Sequence, residues 1–153
     1  METLERVLRE HPFLEGMEHR HLEFITGCAA NVRFAAGEFL FKEGDPADLA
    51  YLLREGRVAL EIHVPGRGST PIATVESGQV FGWSWLYPPY RWRFDARAVE
   101  PVRAITFQGD CLRKKLEADH DLGYELLKRF LREIEHNLQR IHFQLLDVYR
   151  AHP

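Results

Sequence analysis

The apolar positions of this chain change period twice. Over the first thirty residues they recur at helical spacing: Leu4, Val7 and Leu8 form one short stripe and Met17, Leu22 and Ile25 another, separated by His11-Pro12 and Gly16. Steps of three and four put one face of a helix on a core, so two short helices are predicted here. From Asn31 to Phe107 the apolar runs become short and extended. Phe39-Leu40-Phe41 lies between glycines and Tyr51-Leu52-Leu53 leads to Gly56. Val58, Leu60 and Ile62 alternate with Arg57, Ala59, Glu61 and His63 as a half-buried strand does. Pro65-Gly66-Arg67-Gly68-Ser69 predicts a hairpin tip and Pro71 to Val75 its returning strand. Val99, Val102, Ala104, Ile105 and Phe107 close the sheet. Strands at roughly ten-residue spacing indicate a roll or sandwich rather than βαβ units.

Helical periodicity returns after Gly109, with Asp110 as the expected N-cap of a helix over 111–117 and Asp121 that of a second helix from Leu122. In the second helix Tyr124, Leu127, Leu131, Ile134, Leu138, Ile141, Leu145 and Val148 recur at alternating steps of three and four. At about 1.5 Å per residue this segment is roughly 40 Å long, more than one small roll can cover. Sustained heptads with both seam positions apolar predict a coiled coil. The early part, Tyr124 to Leu131, is expected to pack on the roll, with Leu126 and Phe130 widening its apolar face. Leu131, Ile134, Leu138, Ile141, Leu145 and Val148 are the expected homodimer seam; the alternative is a helix packed throughout on its own roll. The fold class is α+β in one domain: helices over 1–30, a roll over 31–108, and hinge and dimerisation helices over 109–150.

Composition narrows the function. With 153 residues, 45% of them hydrophobic, the chain can bury one substantial core. A formal charge of −3 gives no drive toward nucleic acid or an anionic membrane. No apolar run reaches membrane-spanning length, and the N-terminus does not read as a signal peptide. Cys28 and Cys111 lack metal or redox spacing, so two reduced thiols in a cytoplasmic protein are expected. His19 and His21 lack the i, i+4 spacing of a metal pair, and His63 is the roll's only histidine. No nucleophile elbow is present, so neither a metal site nor an enzyme is expected.

The glycines carry the most specific signal. Gly37-Glu38, Gly44-Asp45-Pro46, Gly56, Gly78 and Gly82, the last followed by an extended loop, mark corners that need φ > 0. Their order resembles the cyclic-nucleotide-binding domain family, in particular its catabolite-activator-type sensor domains. The resemblance covers essentially the whole chain. It implies a double-stranded β-helix, or jelly-roll-like β-roll, with helices before it and a long dimerisation helix after it.

The resemblance also implies a phosphate-binding cassette after the sixth strand. In the family a short helix there offers its N-terminal N–H groups to the cyclic phosphate. A glutamate after the glycine holds the ribose, and an arginine about ten residues on neutralises the phosphate. Here the segment runs Gly82-Trp83-Ser84-Trp85-Leu86-Tyr87-Pro88-Pro89-Tyr90-Arg91-Trp92-Arg93-Phe94-Asp95. The glycine is kept and the glutamate is Trp83. Counting forward from Gly82 puts the arginine at Arg93. Counting back from Ala96-Arg97-Ala98 puts it at Trp92, with Arg91 and Arg93 on either side.

All three tryptophans fall in this span. They either line a site for a planar or anionic ligand or fill the pocket as core. Gly-Trp-Ser-Trp-Leu with Pro-Pro-Tyr-Arg-Trp resembles a variant cassette of small stand-alone family members. The implied ligand-binding residues are Gly82, Trp83, Ser84, Arg91 and Arg93. Asn137 joins them where the family's long helix approaches the base, or else faces solvent.

The expected function is a non-catalytic, homodimeric ligand-sensing module that is not an ordinary cAMP receptor. Its ligand is a cyclic nucleotide or another small anion, and its protein partner is not specified. In the family's transcription factors a winged helix-turn-helix follows the long helix; this sequence stops at Pro153, so no DNA partner is expected, and the lack of a membrane-spanning apolar run leaves no membrane partner expected either. The alternative is a ligand-free structural dimer with an aromatic-filled pocket.

Overall fold

In the computed structural model, which describes residues 3–151, Thr3 opens the first helix by accepting the Arg6 N–H at 3.2 Å. Helices α1 (Leu4–Glu10) and α2 (His19–Thr26) form on the two predicted stripes, with a 3-10 turn over Pro12–Leu14 between them. His11 sets the break. Its Nδ1 accepts the Phe13 N–H at 3.2 Å, so the proton sits on Nε2, which lies 2.9 Å from the Leu53 carbonyl and donates to it. The ring is buried, and desolvation lowers its pKa below the ordinary 6.5.

A neutral His11 therefore makes stability pH-dependent. Its contribution is complete above pH 6.5 and is lost as the pH falls from there through the depressed folded value, because the unfolded chain takes up the proton first. Thermal unfolding at pH 7.5 and 5 should show a smaller difference for His11→Gln than for the parent chain. Equal differences would place the acid sensitivity elsewhere.

Eight strands follow: β1 (Ala29–Phe34), β2 (Phe39–Phe41), β3 (Leu49–Glu55), β4 (Val58–Val64), β5 (Gly68–Val75), β6 (Val80–Phe81), β7 (Asp95–Ala98) and β8 (Val102–Gln108). They form two antiparallel sheets, ordered β1-β8-β3-β6 and β2-β7-β4-β5. Leu52, Leu53, Val58, Ala96, Ala98, Val102 and Ile105, each at 1% exposure or less, form the core they share. The five corner glycines all adopt positive φ. At Gly56, between β3 and β4, a Cβ would also lie 2.4 Å from the Pro101 carbonyl oxygen, so only glycine closes that corner.

Three local expectations change. The returning strand begins at Gly68, so the hairpin tip is shorter than predicted. Val99 lies exposed in the turn before β8. Glu61 does not alternate outward into water. A bulge between Leu60 and Glu61 and a 2.8 Å contact to Arg97 bury its carboxylate, and that bond holds it below the usual carboxylate range.

Both caps move as well. Helix α3 (Gly109–Ala118) starts ahead of Asp110, which lies in its first turn, and helix α4 (His120–Ala151) starts ahead of Asp121. Asp119 is the residue that accepts the Leu122 N–H, at 3.1 Å, and that bond lowers its carboxyl pKa. Cys28 and Cys111 are not free thiols. They form a disulfide across 83 residues with Cα atoms 5.8 Å apart. The cause is the β1–β8 pairing, which ends with the Gln108 N–H donating to the Cys28 carbonyl at 2.9 Å and brings the start of α3 beside Cys28.

On α4 the packing stripe is Leu122, Leu126 and Phe130, all buried, rather than the seam residues from Tyr124 to Leu131. Phe130 meets Phe13 at 5.1 Å and the edge of Trp85 at 5.8 Å. Arg129 Nη1 donates to the Phe13 and Glu15 carbonyls, both at 2.8 Å. Tyr124, Leu127, Leu131, Ile134, Leu138, Ile141, Leu145 and Val148 are all at least 42% exposed. No helix among the described residues is long and apolar enough to cross a membrane.

Candidate ligand-binding site

The segment after β6 is built of turns, not of the short helix that the resemblance implies. Trp85 Nε1 donates to the Gly82 carbonyl at 2.9 Å, and the Leu86 N–H donates to Trp83 at 3.0 Å. Pro88 and Pro89 supply no N–H to continue a helix. The expected anion site at a helix N-terminus over Gly82, Trp83 and Ser84 therefore has no helix behind it.

After Tyr90, whose φ of +54° turns the chain, Arg91 and Trp92 run beside the Gly44-Asp45 turn. Ala47 N–H donates to the Tyr90 carbonyl and Gly44 N–H to that of Trp92, both at 2.8 Å, and Arg91 bridges to Pro46. Side chains of an extended segment alternate. Arg91 and Arg93 consequently face outward and are exposed, while Trp92 points in and is 3% exposed. Arg91 Nη1 donates to the Gly44 carbonyl at 3.3 Å.

Trp92 stacks on Phe41 at 3.8 Å with the rings 9° from parallel, and Tyr51 and Phe81 stack beside them at 5.3 Å. The Tyr51 hydroxyl donates to the Leu40 carbonyl at 3.3 Å, and burial pushes its pKa up to about 12. Gly82, at φ +86°, lies so close to the Trp92 ring that a Cβ would sit 2.7 Å from it. Glycine here is required by the tryptophan as much as by the turn. Ser84 is buried within the turn, and Trp85 is fully buried.

Beyond this aromatic layer a cavity of about 200 Å³ remains between the roll and α4. Leu60, Ile72, Val75, Phe81 and Trp83 line it from the roll; Asn137, Arg140, Ile141 and Gln144 line it from α4. The Trp83 Nε1 atom is buried and has no hydrogen-bond partner among the described residues. Arg140 donates to the Asn137 Oδ1 at 2.5 Å. Nearby on α4, burial raises the Glu133 carboxyl above its ordinary pKa, against the pull of His136, Arg140 and Arg132.

Among the sequence-derived candidates, Trp83 and Asn137 meet at this cavity. Arg91 instead borders a separate surface cleft of about 610 Å³ with Asp48, Tyr90, Asp110 and Arg113. There the Arg113 guanidinium lies 4.2 Å over the Tyr90 ring and donates to the Trp85 carbonyl. Arg93 points to solvent. Arg140 and Gln144 were missed, although a signal for them existed. Leu122, Leu126, Phe130, Glu133, Asn137, Arg140 and Gln144 follow one another at steps of three and four, so the roll-facing stripe of α4 turns from apolar to polar halfway along.

A family profile described as the cyclic nucleotide-binding domain matches residues 31–119. The chain belongs to the cyclic nucleotide-binding domain family. It is 24% identical over 145 residues to the CRP-like cAMP-activated global transcriptional regulator of Mycobacterium tuberculosis H37Rv, an overlap of 95% of this chain and 63% of that protein. The chain thus spans less than two thirds of that relative. It is 33% identical over 78 residues to the cAMP-dependent protein kinase regulatory subunit of Emericella nidulans, 51% of this chain and 18% of that one.

Among solved structures, a Geobacter metallireducens GS-15 protein described as cyclic nucleotide-binding superposes with a TM-score of 0.79 at 30% identity, covering 90% of this chain and 99% of its own. A cyclic nucleotide-binding domain from Methylobacillus flagellatus KT shares the fold, with a TM-score of 0.81 at 19% identity over 94% of this chain and 84% of its own. The family's ligand-sensing regulatory character agrees with the roll, and its α+β architecture is the one seen here.

Proposed function

We propose that this family member is a non-catalytic, homodimeric sensing module whose roll does not take cAMP. Trp92 carries this reading. It fills the roll interior at one of the two positions where the resemblance places the phosphate arginine, and its flanking arginines face outward. The ribose glutamate is replaced by Trp83, which removes a charged acceptor worth roughly 1.5–3 kcal/mol. The aromatic packing also favours the ligand-free alternative. Against it stands the cavity at Trp83, where an orphaned donor and the polar half of the α4 stripe converge.

Calorimetric titration with cAMP and cGMP tests the reading: binding should be absent or weaker than the micromolar range. Tight binding would show that the cassette works without its glutamate and arginine.

The dimer is argued from α4. Eight apolar seam side chains left in water along one helix form the kind of contiguous patch that monomers rarely expose. A second copy of the helix covers such a seam by knobs-into-holes packing. Ile141→Glu with Leu145→Glu should give monomers in sedimentation with the roll intact by circular dichroism, since unpaired carboxylates are not tolerated in an apolar seam. A double variant that stays dimeric would place the interface elsewhere.

A further inference from the structure

We infer that the cavity between Trp83 and α4 takes a small monocarboxylate with an apolar body rather than a nucleotide; this rests on the reading of that cavity as the sensing site. Size comes first. About 200 Å³ lies below the ~300 Å³ at which ligand pockets usually begin. A cavity of that size favours a ligand smaller than a nucleotide, such as a carboxylate on a short aliphatic or single-ring body. The wall on the roll side is mostly apolar, with Leu60, Ile72, Val75 and Phe81 beside the polar Thr74 and Gln79, which suits such a body better than a free inorganic anion.

The polar groups specify the other end of the ligand. The Trp83 indole N–H is a donor and nothing else, and it is buried without an acceptor. A buried donor of this kind loses its water without replacement, so the missing partner is an acceptor. Arg140 offers further N–H donors; one is used by Asn137 Oδ1, and the side chain has no ion pair among the described residues. With its oxygen occupied by Arg140, Asn137 has its amide N–H groups left to give. Trp83, Arg140 and Asn137 thus all present donors to the pocket, one of them a guanidinium fork, while Gln144 and Thr74 beside them can serve as donor or acceptor. A planar carboxylate matches that fork with paired hydrogen bonds. Ile141 lines the cavity and also belongs to the exposed heptad seam, so a bound ligand touches the helix that would carry its signal.

The test uses the full chain labelled with nitrogen-15. Its three indole N–H cross-peaks are followed by NMR, with the Trp83 peak identified by its loss in Trp83→Phe. Benzoate and hexanoate are the probes; benzyl alcohol, inorganic phosphate and cAMP are the comparisons. Either carboxylate should shift the Trp83 peak downfield and saturably while Trp85 and Trp92 stay in place. Arg140→Gln should weaken that affinity at least about tenfold, the loss expected for a charged hydrogen bond. Should Trp83→Phe fail to fold, the Arg140→Gln effect on the one moving indole peak decides.

No movement with either carboxylate, or equal movement with benzyl alcohol or phosphate, overturns the inference. Movement of the Trp83 peak by cAMP alone overturns the carboxylate class while keeping the cavity as the sensing site. If no probe moves the peak and mass spectrometry finds no small molecule retained by native protein, the sensing reading falls with it.

Discussion

Removing the Cys28–Cys111 bridge should cost about 4.5 kcal/mol of stability in the chain-entropy account, because it reopens a loop of 83 residues. That is a large share of the roughly 5–15 kcal/mol by which domains of this kind are stable. The comparison is urea unfolding of the oxidised chain against a Cys28→Ala/Cys111→Ala chain. The midpoint should fall markedly with the slope changing little, unless the unfolded ensembles differ in compactness. Coincident midpoints would mean that the bridge does not constrain the unfolded chain. The bridge ties the start of the roll to α3, where Lys115 also donates to the Phe24 carbonyl. Its loss should therefore loosen the approach to α4 before it disturbs the sheets. Hydrogen exchange would show this as reduced protection over 109–118 ahead of 102–108.

Trp92→Ala should destabilise the chain by about 3–5 kcal/mol, the range for deleting a large buried aromatic. The ring is 3% exposed, stacks face to face on Phe41 and fits against Gly82, so its removal leaves a hole that backbone hydrogen bonds on both sides hold open. Guanidinium unfolding monitored at the remaining tryptophans measures the loss. The outcome also bears on function. If Trp92 were a mobile plug standing in for a ligand, the variant would lose little stability, and a nucleotide would raise its melting temperature by mass action. A loss within the stated range, with no response to cAMP, assigns the ring to the core.

Much of the fold was legible because it follows from local rules. Gly37, Gly44, Gly56, Gly78 and Gly82 each mark a corner that takes a positive φ, and the strands between them alternate as pleated strands must. The caps were displaced by one or two residues, since Asp110, Asp119 and Asp121 are all competent and only the backbone path chooses among them. Glu61 escaped its expected outward position through a bulge and Arg97, which lies 36 residues away.

The site was legible in part. Trp83 stood out as a replacement at a position whose role the resemblance supplies. Arg91 and Arg93 stood out as cations near an expected anion, but charge composition does not say which way a side chain points. That was decided by the pairing of Arg91 with Pro46, bracketed by backbone bonds at Tyr90 and Trp92 to the Gly44-Asp45 turn, which sends Trp92 inward between the two arginines.

By itself, then, the sequence determined what depends on near neighbours: the glycine corners, the strand and helix periods, and the unbroken heptad seam of α4. Only the tertiary structure decided what depends on residues meeting across the roll. The disulfide exists because β1 pairs with β8, a contact that cysteine spacing does not encode. The α4 stripe faces the roll at Leu122, Leu126 and Phe130 because Phe13, Trp85 and the carbonyls held by Arg129 wait there. The donor-rich cavity forms because that docking carries Asn137 and Arg140 over Trp83, more than fifty residues earlier in the chain. Periodicity specifies which side chains share a face; what that face meets is set by long-range packing.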